Sequence, residues 1–205
     1  PGRFQIPRLT DSVFDGEAED WPSSSRLPDG FLGIGPNAPG ATVRLGWSAL
    51  GLHLFVEVED ADLANPDARN FWTTNCLEVF LDGSDRKGKR GFGPGDHQFW
   101  FVPLVSEQRA YAGQWQRANE IPATRYDIPD IKGVAKTRGK GYAMEILLPA
   151  AEMTGFRAAT GHRLGLNLNL TVRGEATTRE LYWPDPKSLD VGANPGRWGT
   201  AVLVD

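Results

Sequence analysis

At 205 residues the chain can form one large or two small domains and bury a substantial core, and all-β sandwiches of about 200 residues commonly fold as one unit. It is 40% hydrophobic and 23% charged with a mean hydropathy of -0.38, and no apolar run is long enough to span a bilayer, so it reads as a soluble globular protein. The net charge of -4, from 22 basic and 26 acidic residues, excludes a broad positive field for nucleic acid or anionic lipid and favours a neutral partner.

Residues 1 to 40 carry turn chemistry, with Asp15-Gly16, Asp20-Trp21-Pro22, Ser23 to Ser25, Pro28-Asp29-Gly30 and Pro36 to Gly40, and are expected to form loops and short edge segments. The chain starts Pro1-Gly2 without methionine, which reads as a trimmed or processed chain or an excised module. Thr42 to Trp47 and Leu52 to Asp60 form a hairpin pattern. Its second arm sets Leu52, Leu54, Val56 and Val58 on one face, against His53, Phe55, Glu57 and Glu59 on the other. Ala61 to Asn70 is a polar loop that leads into Phe71 to Asp82, read as FWTTNCLEVFLD.

Within that stretch Leu77, Val79 and Leu81 share one face and Cys76, Glu78, Phe80 and Asp82 the other, the pattern of a central strand. A loop rich in glycine and charge, Gly83 to Asp96, precedes a strand over His97 to Pro103 in which Trp100 faces opposite to Phe99 and Phe101. Ala110 to Arg138 is weakly patterned, with short strands expected near Ala112 to Gln116 and Ile131 to Thr137. Gly141 to Pro149 is a strand stopped by its proline, and Ala150 to Phe156 fits one helical turn. Arg163 to Val172 alternates leucine with Asn167, Asn169 and Thr171, and strands at Glu180 to Trp183 and Thr200 to Val204 complete the set. Short strands with Gly- and Pro-bearing connections predict an all-β, two-sheet sandwich with little helix, as a single domain over residues 1–205.

Seven tryptophans against four tyrosines point to a ligand surface, because indole offers the largest flat apolar face. Glu78, set among apolar neighbours, needs either an ion-pair partner or a ligand to bind. Glu78 and Asp82 lie roughly 13 Å apart along a strand. Glycosidase carboxylates sit about 5 to 9.5 Å apart, so a hydrolase would need a second acid from elsewhere, such as Glu145. Asp15, Asp20, Asp60, Asp62 and Asp67 are candidate ligands for a structural calcium. His53, His97 and His162 lack zinc spacing, and Met144 reads as a core residue rather than a heme ligand. The single cysteine, Cys76, excludes an internal disulfide. The GFGPGD loop lacks the following helix of a phosphate-binding turn, and Arg86, Lys87, Lys89 and Arg90 read as a solvated charge run. Trp72, Trp100 and Trp183 remain as stacking candidates near strand ends.

The order DG…DW, LHLFVEVED, FWTTNCLEVFLD, HQFWF, GYAMEILLP, LGLNLNLTV, YWPDP and NPGRWGTAVL resembles the family 9 carbohydrate-binding modules over nearly the whole chain. Its most specific part is Trp72 followed by Glu78, Phe80 and Asp82. The resemblance implies an immunoglobulin-like or jelly-roll-like sandwich that binds oligo- or polysaccharide without catalysis. It makes Trp72 a stacking platform, Glu78 a hydroxyl acceptor, and Asn169 and Arg179 further sugar contacts. It also implies an extracellular or periplasmic setting and fusion to a catalytic domain. The chain departs from the family pattern at Asn75, where the family carries Asp, at Trp100, which replaces an Arg, and at Lys187 to Pro195, which holds no tryptophan. Trp100 or Trp183 would then supply the second ring. The rival expectations are a sugar-acting enzyme using Glu78 with a second carboxylate, and a heme-binding electron-transfer sandwich.

Overall fold

The alternation of Leu52, Leu54, Val56 and Val58 with polar residues marks the inner face of one sheet, and that of Leu77, Val79 and Leu81 the inner face of another. The computed structural model describes residues 2–11, 14–28, 32–34, 40–88, 91–115, 123–184 and 194–205. Its strands are β1 (Arg3–Pro7), β2 (Leu32–Ile34), β3 (Ala41–Ser48), β4 (Gly51–Val58), β5 (Cys76–Asp82), β6 (Asp96–Leu104), β7 (Arg109–Gln114), β8 (Lys132–Arg138), β9 (Gly141–Pro149), β10 (Arg163–Arg173), β11 (Thr178–Trp183) and β12 (Gly199–Val204). Among the described residues the helical elements are single 3-10 turns, including Phe71–Thr73 and Ala150–Glu152.

The larger sheet has eight strands in the order β1-β12-β10-β5-β6-β7, and the smaller has four in the order β3-β4-β9-β8. Strand β10 is long enough to pair twice along one edge, with β12 through its first half and β11 through its second, while β5 runs along the other edge. Strand β2 extends the sheet beyond β11. The two short N-terminal strands are the edge segments expected among the turns of residues 1 to 40. Pairing decided their structure, with β1 parallel to β12 in a register from Arg3 opposite Thr200 to Pro7 opposite Val204.

One core fills the space between the sheets. It includes Leu77, Val79, Leu81, Phe99 and Phe101 from the larger sheet and Leu52, Leu54, Val56, Met144, Ile146 and Leu148 from the smaller. Each such side chain contributes about 1.5 to 3 kcal/mol by leaving water. Strand β5 is apolar on both faces because its outer face is covered too, with Cys76 joining Phe71, Trp100, Val102 and Tyr111 there and Phe80 lying under Trp198.

The outer face of the smaller sheet is covered by the segment that follows β1. Trp21 packs on Phe55 and His53, and the buried Glu145 carboxylate accepts backbone N–H groups from Asp15 at 3.0 Å and Gly16 at 2.6 Å. Burial raises the Glu145 carboxyl to about 7, against the lowering effect of those two hydrogen bonds, and the nearby Asp15 and Asp20 carboxylates add to the rise. Burial moves His53 the opposite way, to about 4.

Two expectations follow from this packing. A Cβ added at Gly113 of β7 would lie 2.1 Å from the Trp100 ring, so Gly113→Ala should lower the unfolding free energy in a urea titration by about 1 to 3 kcal/mol. An unchanged midpoint would show that the Trp100 ring can move aside. Folding favours the protonated form of Glu145, so its contribution to stability is full below pH 4.5 and is lost as the pH rises towards 7. Over that window the stability of the wild type relative to Glu145→Gln should fall by about 3 kcal/mol, and a difference independent of pH would show that burial does not hold the proton.

Candidate functional site

The outer face of the larger sheet carries the chemistry. Pairing registers place Tyr182, Asn169, Glu78, Trp100 and Gly113 in one row across β11, β10, β5, β6 and β7, and Asn167, Phe80 and Gln98 in the next. Glu78 and Asn169 are half-buried and can be reached from solvent, whereas Gln98 and Asn167 are buried behind them. Gln98 Nε2 donates to Glu78 Oε1 at 2.8 Å, and the Asn167 and Asn169 amides hydrogen-bond at 2.9 Å. In the orientation that satisfies both ends of its amide, Asn167 also donates to the Trp183 carbonyl at 3.1 Å. Buried amides thus fix the orientation of the two polar groups that a ligand can touch.

An aromatic cluster closes one end of this floor. The fully buried Trp100 stacks under Phe71, with centroids 4.7 Å apart, and its Nε1 donates to the Ala68 carbonyl at 2.8 Å. Trp72 stands edge-on to Phe71 and to Trp115 and is 53% exposed. Arg173 at the end of β10 donates to the Trp72 carbonyl at 2.6 Å, which fixes the backbone carrying that ring. Asn75 joins the same corner, because its Nδ2 donates to the Asp62 carbonyl at 2.6 Å while its Oδ1 accepts the Arg173 N–H at 2.8 Å. An ionised aspartate, which has no donor, could make only the second of these bonds. At the other end Trp198 packs between Phe80 and Phe92.

Two of the residues expected at the site, Trp183 and Arg179, lie elsewhere, and a third, Trp100, is buried beneath it. Trp100 is fully buried, so it supports the aromatic cluster and offers no face to a ligand. Trp183 and Arg179 share the inward face of β11 with Leu181. Trp183 packs in the inter-sheet core against Phe4, and Arg179 Nη2 donates to the Asp60 carbonyl. The outward residues of β11 are Glu180 and Tyr182, whose hydroxyl donates to Glu180 Oε2 at 2.8 Å. Burial and the Glu180 carboxylate push that hydroxyl upward from its ordinary pKa. Sequence reasoning missed Gln98, Trp115, Asn167, Arg173 and Tyr182. The signal was the period of two, which puts Gln98 with Trp100, Asn167 with Asn169, and Tyr182 opposite to Leu181.

The rival chemistries meet geometric obstacles. Glu145 lies on the outer face of the smaller sheet, so both sheets separate it from Glu78, and it cannot serve as the second carboxylate of a hydrolase. Asp82 and Asp96 are buried and organise the loop between β5 and β6. They accept N–H groups from Ser84 and Lys87, and from Gly93, respectively. Of the described basic residues of that loop, Lys87 is tethered, with Nζ on the Gly199 carbonyl at 2.9 Å, while Arg86 stays solvent-exposed beside Asp82 and Asp96. Lys89, Arg90 and residues 187–193 lie outside the described residues.

His53 hydrogen-bonds Ser48 and His162 hydrogen-bonds Gly83, while His97 bonds the Gln114 side chain and accepts the Thr154 N–H. Met144 is a core residue. Asp15, Asp62 and Asp67 cap N–H groups in their own turns, and among the described residues no three His, Cys, Asp or Glu side chains form a metal-binding group.

A family model described as carbohydrate family 9 binding domain-like matches residues 11–205. Among solved structures the fold is similar to that of a carbohydrate-binding module family 9 from Caldicellulosiruptor kristjanssonii in complex with cellotriose. The TM-score is 0.69 at 18% identity, and the match covers 99% of this chain and 94% of that one. A structure described as a family 9 module from the same organism in complex with glucose also gives 0.69, at 17% identity and with coverages of 98% and 95%. No curated protein matches the sequence. The family match spans both sheets and every residue of the polar row, and the chain belongs to the carbohydrate family 9 binding domain-like family.

Proposed function

We propose that the protein is a non-catalytic carbohydrate-binding module whose ligand lies on the outer face of the eight-stranded sheet. The observation that carries this reading is the exposed Trp72 ring at the edge of a floor whose Glu78 and Asn169 side chains are held by buried amides. The C–H face of a sugar packs on indole, while its hydroxyls pair with a carboxylate and an amide. Glu78 and Glu180 on this face favour neutral sugars over acidic ones, because an anionic ligand would meet like charge. No helix among the described residues is long and apolar enough to cross a membrane. An extracellular or periplasmic setting, attached to a glycan-acting catalytic domain, fits this reading.

Cellotriose and glucose, the ligands of the similar structures, are the first probes. Calorimetry with a panel of neutral mono- and oligosaccharides should give saturable heat, and chromatography should recover the sugars unchanged. Turnover of any sugar that Glu78→Gln abolishes would overturn the reading in favour of an enzyme. Trp72→Ala, checked for folding by circular dichroism, should weaken binding by at least about 1 kcal/mol, and unaltered affinity would remove Trp72 from the site.

A further inference from the structure

We infer that the protein carries a second binding site, away from the sugar floor, that takes a small oxyanion group, a carboxylate or a sulfate. It lies on the rim of the sandwich at the end of β5 far from Trp72, and it stands independently of the carbohydrate-binding reading.

A cavity of about 440 Å³ opens there, lined by Ser84, Gly155, Arg157, Gly161, His162 and Arg163. Trp72 precedes β5 and Ser84 follows it, so the length of that strand, roughly 20 Å, separates the cavity from the exposed indole. The lining holds two arginines, a histidine and a hydroxyl but no carboxylate, in a chain whose net charge is -4. Arg157 is exposed and makes no ion pair among the described residues. Arg163 approaches Asp85 at 3.4 Å, but that carboxylate is shared with Lys87 at 3.0 Å and with the Thr200 hydroxyl at 3.2 Å. Asp205 is engaged by the Thr160 hydroxyl at 2.7 Å and lies 3.9 Å from Arg8. Positive charge on this rim is therefore left without a dedicated partner.

The wall is fixed before any ligand arrives. The Gly161 N–H donates to the Leu203 carbonyl at 2.8 Å, and the Leu203 N–H donates back to the His162 carbonyl at 2.9 Å. His162 Nε2 donates to the Gly83 carbonyl at 2.8 Å, and its ring meets Phe156 edge-on. A Cβ on Gly155 would lie 2.2 Å from Ser84 Oγ, so the bare backbone of Gly155 lets that hydroxyl rest against the turn. Burial lowers the His162 pKa against the raising effect of the Gly83 hydrogen bond, and the Arg157 charge lowers it further, so the two guanidinium groups carry the charge at neutral pH. A guanidinium presents a planar fork that matches two oxygens of a carboxylate or sulfate, and a serine hydroxyl can donate to another. Glu78 and Glu180 make the sugar floor unsuited to such groups, so the two sites select different chemistry.

The test is a 15N NMR titration of the whole chain with sodium glucuronate and with sodium sulfate, sodium chloride being exchanged out to hold the ionic strength constant. The amides of Ser84, Gly155, Gly161 and Arg163 should shift saturably. Arg157→Gln and Arg163→Gln should each raise the Kd by about tenfold or more, while Trp72→Ala leaves it unchanged. Tighter binding of glucuronate would assign the group to an acidic sugar, tighter binding of sulfate to a sulfate ester or free inorganic anion, and either supports the site. Absent or non-saturating shifts, shifts scattered over basic residues elsewhere, or binding that persists in a folded Arg157→Gln, Arg163→Gln double variant would overturn the inference and leave the carbohydrate-binding reading untouched.

Discussion

The burial of Trp100 is the constraint on which the ligand face depends. A strand in an outer sheet face ordinarily shows such a ring to water, but here Gly113 on β7 leaves space for it to lie flat, and Phe71 covers it from above. The indole N–H is satisfied by the Ala68 carbonyl, so burial leaves no polar group without a partner. Phe71 is thereby pinned, and Phe71 in turn supports Trp72. A residue that never meets solvent thus determines where the exposed ring stands.

Much of this was legible in the alternation of single strands. The inward sets Leu52 to Val58, Leu77 to Leu81 and Leu164 to Val172 follow from period two, and each lies in the core. Strands β1 and β2 were legible only as short edge segments, because their residues show little periodicity and their bounds are set by pairing with β12 and β11. At the site, Trp72, Glu78 and Asn169 stand out in the sequence, and all three face the same side of one sheet. The errors came from β11, where Trp183 and Arg179 attract notice by their chemistry although their parity with Leu181 turns them inward. Trp100 shows a different limit. Its face was readable, but its burial depends on a glycine on the next strand and a phenylalanine before the preceding one.

The two outer faces of the sandwich have been put to different uses. On the smaller sheet, the segment after β1 fills the surface, with Trp21 against Phe55 and two backbone N–H groups on Glu145, so that face is a second layer of the fold. On the larger sheet, the described residues cover the two aromatic ends, and the floor between them keeps half-buried polar groups. Carboxylates occupy both surfaces, but one serves the chain's own backbone and the other faces outward. The location of Glu145, more than its chemistry, separates its role from that of Glu78.

The attachment of Trp72 also bears on the thermodynamics of the surface. Its carbonyl is held by Arg173, its ring abuts Phe71 and Trp115, and Asn75 ties the same corner to β10. A side chain already confined in this way has little rotamer freedom left to lose when something settles on it. The entropic cost of capture then falls on the ligand, whose own stiffness becomes a determinant of how tightly it is held.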